Sequence, residues 1–280
     1  MVSDNETQDR IVNLELELLL QAIQQQYDYD FREYSRAHVK RRVLHYLNAN
    51  GIPHISELQH RLLTDEQCFR KLLKELSINV TEMFRNPSFY KTIREKVVGL
   101  LKTYPFLKIW HAGCATGEEV YSFAILLKEE GLYDRTQIYA TDFNGDVIKK
   151  AKTGSFSIRN IRDYTSNYQQ SGGKESFSDY YHATDNRVLF DKSLSKNIVF
   201  AEHNLVSDGV FSEVNMVISR NVLIYFNREL QNRVLNLMDR SLVTGGFLGL
   251  GSKETIMFSD IAAKYKAVDS KERIFKKIHV

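Results

Sequence analysis

The residues best placed to do chemistry are two glycines, two adjacent glutamates and a later aspartate. His111-Ala-Gly-Cys-Ala-Thr-Gly-Glu-Glu119 separates a hydrophobic run, Phe106 to Trp110, from an amphipathic one, Val120 to Leu127. Such a break reads as a buried strand turning into a helix. Gly113 and Gly117 can take positive φ and let a ligand approach the backbone, while the helix that follows presents free N–H groups to a polar partner. A second apolar run, Ile138-Tyr-Ala-Thr-Asp142, ends in a carboxylate about 25 residues further on, near the spacing of a ribose-hydroxyl acceptor in a doubly wound sheet. Glycine turn and acid together point to an adenosine cofactor.

The spacing also discriminates among cofactors. A dinucleotide fingerprint needs G-x-G-x-x-G for its pyrophosphate, whereas here the glycines read G-x-x-x-G and two glutamates follow. Glu118 and Glu119 would repel a pyrophosphate but suit a cofactor carrying positive charge, such as S-adenosylmethionine with its ammonium and sulfonium. The competing reading is an ordinary strand–helix turn with a capping acid, and Asp142 in register weighs against it.

These residues must be positioned by a fold, and bulk properties limit the choice. At 280 residues with 43% apolar side chains, the chain can fill one large core or a large and a small one. With 38 basic and 35 acidic residues, the net charge of +3 gives no argument for nucleic acid. No apolar stretch approaches the roughly 18 residues of a membrane span. The start of the chain, with Asp4, Glu6 and Asp9, lacks the pattern of a signal peptide. A cytoplasmic monomer without membrane insertion is expected. Cys68 and Cys114 show neither C-x-x-C spacing nor Cys/His clustering, so no disulfide or metal site is expected, and Cys114 reads as a small packing residue.

From Arg10 to about Tyr104, apolar residues recur at helical spacing, giving four or five helices and no strand. Thr64 and Gln67 read as a capping box, Asn50-Gly51 as a helix stop and Asn86-Pro87 as a helix start. Strands and helices then alternate: strands at Leu107 to Ala112, Gln137 to Thr141, Val214 to Ser219 and Gly246 to Gly251, helices at Val120 to Glu130, Asp146 to Thr153 and Glu229 to Leu242. That pattern predicts an α/β fold with a parallel sheet covered by helices. Arg187 to Phe190 and Ile198 to Ala201, too close for a crossover helix, read as a small antiparallel β insert within about residues 155–205. Tyr265 to Val268 and Arg273 to Ile278 form a terminal hairpin around a Ser-Lys-Glu turn. The expected domains are 1–86, all-α, and 87–280, α/β.

Three further segments complete a pattern: Ser77-Ile-Asn-Val-Thr-Glu-Met-Phe-Arg85, Asn204-Leu205, and Ile218-Ser-Arg-Asn-Val-Leu-Ile-Tyr-Phe226. With N-x-T-x-x-F-R, G-x-x-T-G-E-E-x-Y-S, A-T-D and R-N-V-x-I-Y-F in this order, the chain resembles the CheR family of chemoreceptor glutamate methyltransferases from about residue 30 to its C-terminus. The resemblance implies a helical N-terminal domain joined to a Rossmann-like S-adenosylmethionine-dependent methyltransferase domain with a small β insert. It implies that Asn79, Thr81, Arg85, Glu119, Asp142, Asn204, Leu205, Ser219 and Arg220 line the cofactor site, beside Gly113 of the glycine turn. Arg85 and Tyr225 would be the catalytic groups nearest the transferred methyl. Physical reading agrees for Asp142, which can accept both ribose hydroxyls, and for Glu119, which can pair with the methionine ammonium. Only the resemblance singles out Asn204 and Leu205. Read alone, Arg85 would be a surface salt bridge and Tyr225 a core ring beneath a strand. The chain departs from the family at Val120, Ser219 and Gly251-Ser-Lys-Glu254.

The function expected is methyl esterification of glutamates on the helical cytoplasmic bundle of chemoreceptors, with S-adenosylhomocysteine as product. The receptor contact is expected on a helix from about Phe31 to Leu47, where Arg32, Arg36 and Lys40 recur every four residues beside Arg41 and Arg42 and opposite Val39, Val43 and Leu47. Two alternatives stand beside this. One is a methyltransferase with another protein or nucleic-acid acceptor, although the Asp/Asn-Pro-Pro-Tyr run of amino-group methylation is absent and the only prolines are Pro53, Pro87 and Pro105. The other is a non-catalytic module that binds S-adenosylmethionine and signals through its helical domain.

Overall fold

The computed structural model describes residues 4–77 and 80–279. The chain divides into two compact units, Met1–Ile78 with Tyr225–Gln231, and Asn79–Ile224 with Asn232–Val280.

The first unit is helical. Helices α1 (Asp4–Tyr27), α2 (Arg36–Asn50), α3 (Ile55–Thr64) and α4 (Glu66–Leu76) each bury one stripe. Leu16, Leu19, Leu20 and Ile23 of α1, Val39, Val43 and Leu47 of α2, Leu58 and Leu62 of α3, and Phe69, Leu72 and Leu76 of α4 are all buried, with α3 packed on α1, α2 and α4, and α2 on α4. The three- and four-residue spacing puts these side chains on one face of each helix, and each contributes about 1.5–3 kcal/mol by leaving water. Gly51 closes α2 in the left-handed region, φ 62°, as the Asn-Gly pair predicts. The helix α4 is capped differently from the sequence reading. Asp65 accepts from the Gln67 N–H at 2.8 Å, while Thr64 ends α3 and donates to the His60 carbonyl at 2.9 Å. A single residue separates the two helices, and its carboxylate is the nearest acceptor.

A second correction concerns the start of α2. The expected helix from Phe31 begins instead at Arg36, because the preceding backbone is engaged elsewhere in the unit. Tyr34 bridges Phe226, the Ser35 N–H donates to the Tyr225 carbonyl at 2.8 Å, and the Asn227 N–H donates to the Glu33 carbonyl at 2.9 Å. The basic run is also less open than its sequence suggests. Arg32 pairs with Asp30 at 2.7 Å, Arg36 with Glu17 at 3.3 Å, Lys40 with Asp9 at 2.9 Å and Arg42 with Glu75 at 3.1 Å, and Arg41 lies 3.4 Å from the His38 ring.

The second unit is built on a seven-stranded sheet. Strands β1 (Leu107–Ala112), β2 (Thr136–Asp142), β6 (Ile198–Glu202), β7 (Val214–Ser219) and β8 (Leu242–Leu250) pair in parallel in the order β6-β2-β1-β7-β8. The terminal hairpin, β9 (Tyr265–Asp269) and β10 (Ile274–Lys277), completes the sheet, with β10 inserted antiparallel between β8 and β9. Ile109, Ile138, Met216, Ile218 and Phe247 are fully or almost fully buried, as expected where helices cover both faces. The covering helices include α5 (Pro87–Thr92), which runs through a π-helical turn at Ile93–Val97 into α6 (Val98–Leu101), then α7 (Glu118–Glu129), α8 (Gly145–Lys152) and α9 (Ile161–Gln170). Helix α10 (Arg228–Ser241) precedes β8. No helix among the described residues is long and apolar enough to cross a membrane.

The β insert differs from its expected makeup. Strands β3 (Ser155–Ser157), β4 (Tyr181–Ala183) and β5 (Arg187–Phe190) form a separate antiparallel sheet in the order β3-β5-β4. Ile198–Glu202, expected beside β5, instead pairs in parallel with β2 as the edge of the main sheet. A short link from β5 forbids parallel pairing only with β5 itself. The crossover that matters runs from β2 to β6, and it contains α8 and the whole small sheet.

The division between units falls at Ile78/Asn79 rather than after Asn86. Met83 and Phe84 explain why: both are buried in the core of the second unit, and the Phe84 N–H donates to Ser122 of α7 at 2.9 Å.

Candidate cofactor site

Strand order reverses at β1, with β2 on one side and β7 on the other, so the loops leaving these strands at their carboxyl ends diverge and leave a crevice. The β1 loop carries the two glycines in left-handed conformations, φ 83° at Gly113 and 94° at Gly117. A Cβ on Gly113 would stand 2.5 Å from a methyl of Val222, and one on Gly117 would stand 3.0 Å from the Ala151 Cβ. The Gly113 and Cys114 N–H groups both donate to the Thr141 carbonyl at 2.8 Å, which ties the loop to the end of β2.

There Asp142 is buried, with Oδ2 accepting from the Ala115 N–H at 3.0 Å and Oδ1 from the Asn144 N–H at 3.1 Å. Burial pushes its carboxyl up to about 6, against the opposing pull of these backbone donors. The Asp142 carbonyl accepts from the His203 N–H at 3.1 Å, so the residues leaving β6 lie alongside. Asn204 is next, held in a turn by its own side chain, whose oxygen accepts from the Val206 N–H at 3.0 Å. Leu205 follows, half-buried. Asp142 and Asn204 are thereby brought together, although only the family resemblance singled out Asn204.

The other end of the crevice is an ion-paired cluster. Glu119, in the first turn of α7, accepts from Arg220 Nη1 at 2.9 Å and faces His111 Nδ1 at 3.2 Å. Burial alone would raise its carboxyl, but the His111 hydrogen bond and the Arg220 charge outweigh that and hold it below the ordinary carboxylate value. Arg220 Nη2 also donates to the Arg85 carbonyl at 3.0 Å and to Asn86 Oδ1 at 2.9 Å, and its guanidinium lies 4.2 Å over the Phe89 ring. Its neighbour Glu118 is buried; burial raises its carboxyl, and Thr116 donates to it at 2.5 Å.

Among the described residues, several buried polar atoms here lack a protein partner: Ser219 Oγ, Arg220 Nε and His111 Nε2. Such orphans are few in folded proteins and mark places where a further group belongs. Together with a glycine cradle that a Cβ would fill, a buried acceptor at Asp142 and an acid at Glu119, they fit an adenosine cofactor with positive charge at its far end.

The remaining expected residues are placed as follows. Thr81 lies half-buried in the non-helical segment that leads to Met83. Arg85 is half-exposed and donates to the Val80 carbonyl at 3.1 Å; among the described residues no acid pairs with it, so the salt-bridge reading does not hold. Asn79 lies outside the described residues. Tyr225 belongs to the first unit, where its half-buried ring sits 4.9 Å from the His38 ring, so it is not a core ring beneath β7.

Sequence reasoning missed three residues. His111 and Asn86 stood inside motifs without a role. Glu254, noted only as part of a family departure, is buried and accepts backbone N–H groups from Gly251 at 2.6 Å, Asn221 at 3.0 Å and Val222 at 2.9 Å, which fixes the loop after Arg220. An isolated buried Glu leaves no periodic signal; only the fold reveals its partners.

Comparison with known proteins identifies the family. Residues 79–274 match the family model for the CheR methyltransferase SAM binding domain, and residues 14–77 match the CheR methyltransferase all-alpha domain. Over 271 residues the chain is 48% identical to Cher3 of Pseudomonas putida, which carries a methyltransferase name, covering 97% of this chain and 99% of that one. It is 27% identical over 230 residues to a chemotaxis protein methyltransferase of Listeria innocua, covering 81% and 85% of the two chains. To chemotaxis protein methyltransferase 1 of Pseudomonas aeruginosa it is 27% identical over 225 residues, covering 75% and 78%. An all-α domain followed by an S-adenosylmethionine-binding sheet, with both ends of the crevice lined as described, places this chain in the CheR methyltransferase family.

Proposed function

We propose that this chain methylates glutamate side chains on the cytoplasmic helical domains of chemoreceptors, giving glutamate 5-O-methyl esters, and that it works in the cytoplasm. The observation that carries the reading is the pair of carboxylates, Asp142 buried and Glu119 half-buried, at opposite ends of one crevice in a chain whose relatives bear chemotaxis methyltransferase names. Asp142 accepts the ribose hydroxyls, and Glu119, already set by Arg220 and His111, faces the ammonium end. Asn204 and Leu205 bound the adenine side, and Ser219 offers its unpartnered hydroxyl.

The cofactor, when bound, supplies an activated methyl on sulfur. The chain's own residues have little left to do beyond alignment. A glutamate with an ordinary pKa near 4.3 is already ionised at neutral pH, so its oxygen attacks without a general base, and catalysis reduces to holding that oxygen in line. Arg85, half-exposed and among the described residues bonded only to the Val80 carbonyl, is placed to grip the incoming carboxylate with the flat edge of its guanidinium. Tyr225 is assigned a positioning role on the strength of the R-N-V-x-I-Y-F motif. The acidic receptor helix is met by Arg36 and Lys40, which exchange exposed pairs with Glu17 and Asp9 for pairs with the receptor; such surface pairs are each worth about 1 kcal/mol or less.

The test is the bond formed. Label transferred from methyl-labelled S-adenosylmethionine to receptor fragments should leave as volatile methanol under mild alkali. Label that survives alkali indicates nitrogen methylation and a different acceptor.

A further inference from the structure

The chain passes from β6 to β7 through residues 203–213 without a helix, although β2 and β1 lie between those two strands in the sheet. A parallel crossover usually carries a helix, which covers the face it passes. Here a single side chain packs on that face. Trp110 of β1 and Tyr139 of β2 are register partners and project from the same face, and since His111 meets Phe123 of α7 at 5.4 Å on one face, Trp110 points to the other. Phe211 folds back onto this pair. Its ring stacks on Trp110 at 5.2 Å, meets Tyr139 edge-on at 5.3 Å and meets His203, the residue after β6, edge-on at 5.4 Å. All three contacts have the stacked or edge-to-face form that ring quadrupoles favour.

We propose that Phe211 is a positioning residue for the adenine side of the cofactor site, seated in the box of Trp110, Tyr139 and His203 so that the turn carrying Asn204 and Leu205 is held at the end of β2. The inference rests on the assignment of Asn204 and Leu205 to adenine and names what keeps them in place.

Three observations converge. First, the turn closes on itself: the Asn204 N–H donates to Asp208 Oδ2 at 2.8 Å, the Asp208 N–H to the Asn204 carbonyl at 2.9 Å and the Val206 N–H to Asn204 Oδ1 at 3.0 Å, and among the described residues no hydrogen bond of 204–208 leaves the turn. Its place on the sheet is therefore set by its flanks. Second, His203 joins those flanks, with its N–H on the Asp142 carbonyl at 3.1 Å and its Nε2 facing the Gly209 carbonyl at 3.2 Å, an acceptor that makes this nitrogen the protonated one. The His203 ring is buried and its Nδ1 has no partner among the described residues, so Phe211 and Trp110, the latter at 5.4 Å, complete its support. Third, the box is tied to the strand end that bears Asp142, because Trp110 Nε1 donates to Thr141 Oγ1 at 2.9 Å. With the Phe211 ring removed, the hydrogen bonds of His203 alone would tie the turn to the sheet.

Two measurements on the full-length chain test this. Calorimetry compares S-adenosylhomocysteine with S-inosylhomocysteine, in which a carbonyl replaces the amino group of the base and the adjacent ring nitrogen gains a proton. The parent should prefer the adenine form by about tenfold or more, since groups placed for one base are left unpaired by the other. Phe211→Ala should bind S-adenosylhomocysteine about tenfold more weakly and prefer it by less than about threefold. Phe211→Tyr should keep the parent's preference, because the half-buried ring leaves room for a hydroxyl toward solvent. A general loss of stability would weaken both ligands alike and leave their ratio unchanged. Phe211→Leu, apolar but without a ring, should give an intermediate preference and serves if the alanine variant does not fold. Trp110 is the chain's single tryptophan, so its emission reads the seating of Phe211 directly: it should move to the red in Phe211→Ala and stay in place in Phe211→Tyr. A parental preference retained in both Phe211→Ala and Phe211→Leu, or unmoved Trp110 emission in both, overturns the proposal. Equal binding of the two ligands by the parent refutes the adenine assignment of Asn204 and Leu205, and the proposal with it.

Discussion

If Asp142 holds the cofactor's ribose as proposed, binding becomes pH-dependent around pH 6. Its carboxyl is pushed up to about 6 by burial, and both oxygens already accept backbone N–H groups, from Ala115 and Asn144. Ribose hydroxyls add two more donors, which only the ionised form can satisfy in full. Below about pH 6 the ionised fraction falls tenfold per unit, equivalent to about 1.4 kcal/mol per unit of affinity. Titration calorimetry with S-adenosylhomocysteine should therefore give a nearly constant Kd from pH 7 to 8 and one about tenfold weaker at pH 5. Glu119 does not blur the profile, because its carboxyl lies below the ordinary range. Nor does unfolding mimic it. A carboxyl raised in the folded state binds its proton more tightly than in the unfolded chain, so this group's contribution to stability improves as pH falls from about 6 toward 4. Affinity and stability thus move in opposite directions through one titration. Asp142→Asn should weaken binding by about 1.5–3 kcal/mol at pH 7.5 and flatten the profile. A parent Kd that stays constant down to pH 5, or an Asp142→Asn variant that binds like the parent, would refute the ribose assignment.

Other outcomes follow from the same geometry. Arg85→Ala should fold normally and lose most turnover with little change in cofactor affinity, and Arg85→Lys should recover little because a point charge lacks the planar fork; single-turnover rates beside calorimetry check this. Gly113→Ala should abolish cofactor binding, since its Cβ meets Val222 at 2.5 Å in a left-handed backbone, and thermal unfolding would show the strain as a loss of about 1–3 kcal/mol. His111→Leu should weaken S-adenosylmethionine binding about tenfold by leaving Glu119 with one fewer partner, whereas His111→Asn, able to donate from a similar position, should recover part of it. The Arg36→Gln, Lys40→Gln double variant should lower receptor methylation at low salt and shrink its salt dependence while cofactor affinity stays put, as measured by initial rates across an ionic-strength series.

The parts of this molecule legible in the sequence are those written in neighbouring residues. β1 and β7 lie where the apolar runs put them, the glycine turn connects the elements expected, and Asp142 closes its strand beside that turn. The parts that were not legible depend on partners far along the chain. Arg220 and Glu119 are 101 residues apart, and nothing local announces that they form one ion pair. Ile198–Glu202 has the same alternation whether it joins the small sheet or the large one, and only its register with β2 decides. Phe31–Ser35 has a helical pattern, yet hydrogen bonding to 225–227 takes its backbone. Thr64 and Asp65 are both good capping residues, and choosing between them needs knowledge of where the previous helix stops.

The position of β6 has a kinetic consequence. Between the end of β2 and the start of β6 the chain runs through about 55 residues, and closing a loop of that length costs about 3.6 kcal/mol of chain entropy beyond a constant, by the logarithmic scaling with loop length. As an edge strand, β6 has a single neighbour to offset that cost. It should join the sheet late, after the small sheet within the loop has collapsed and shortened the effective path. Asn204 and Leu205 follow directly on this strand, so on the proposed assignment the adenine side of the crevice is completed in one of the final folding steps, whereas the glycine turn between β1 and α7 forms locally and early. Cofactor contacts thus span the earliest and latest structures of the domain, and a ligand that grips both selects the finished sheet over every partly folded form.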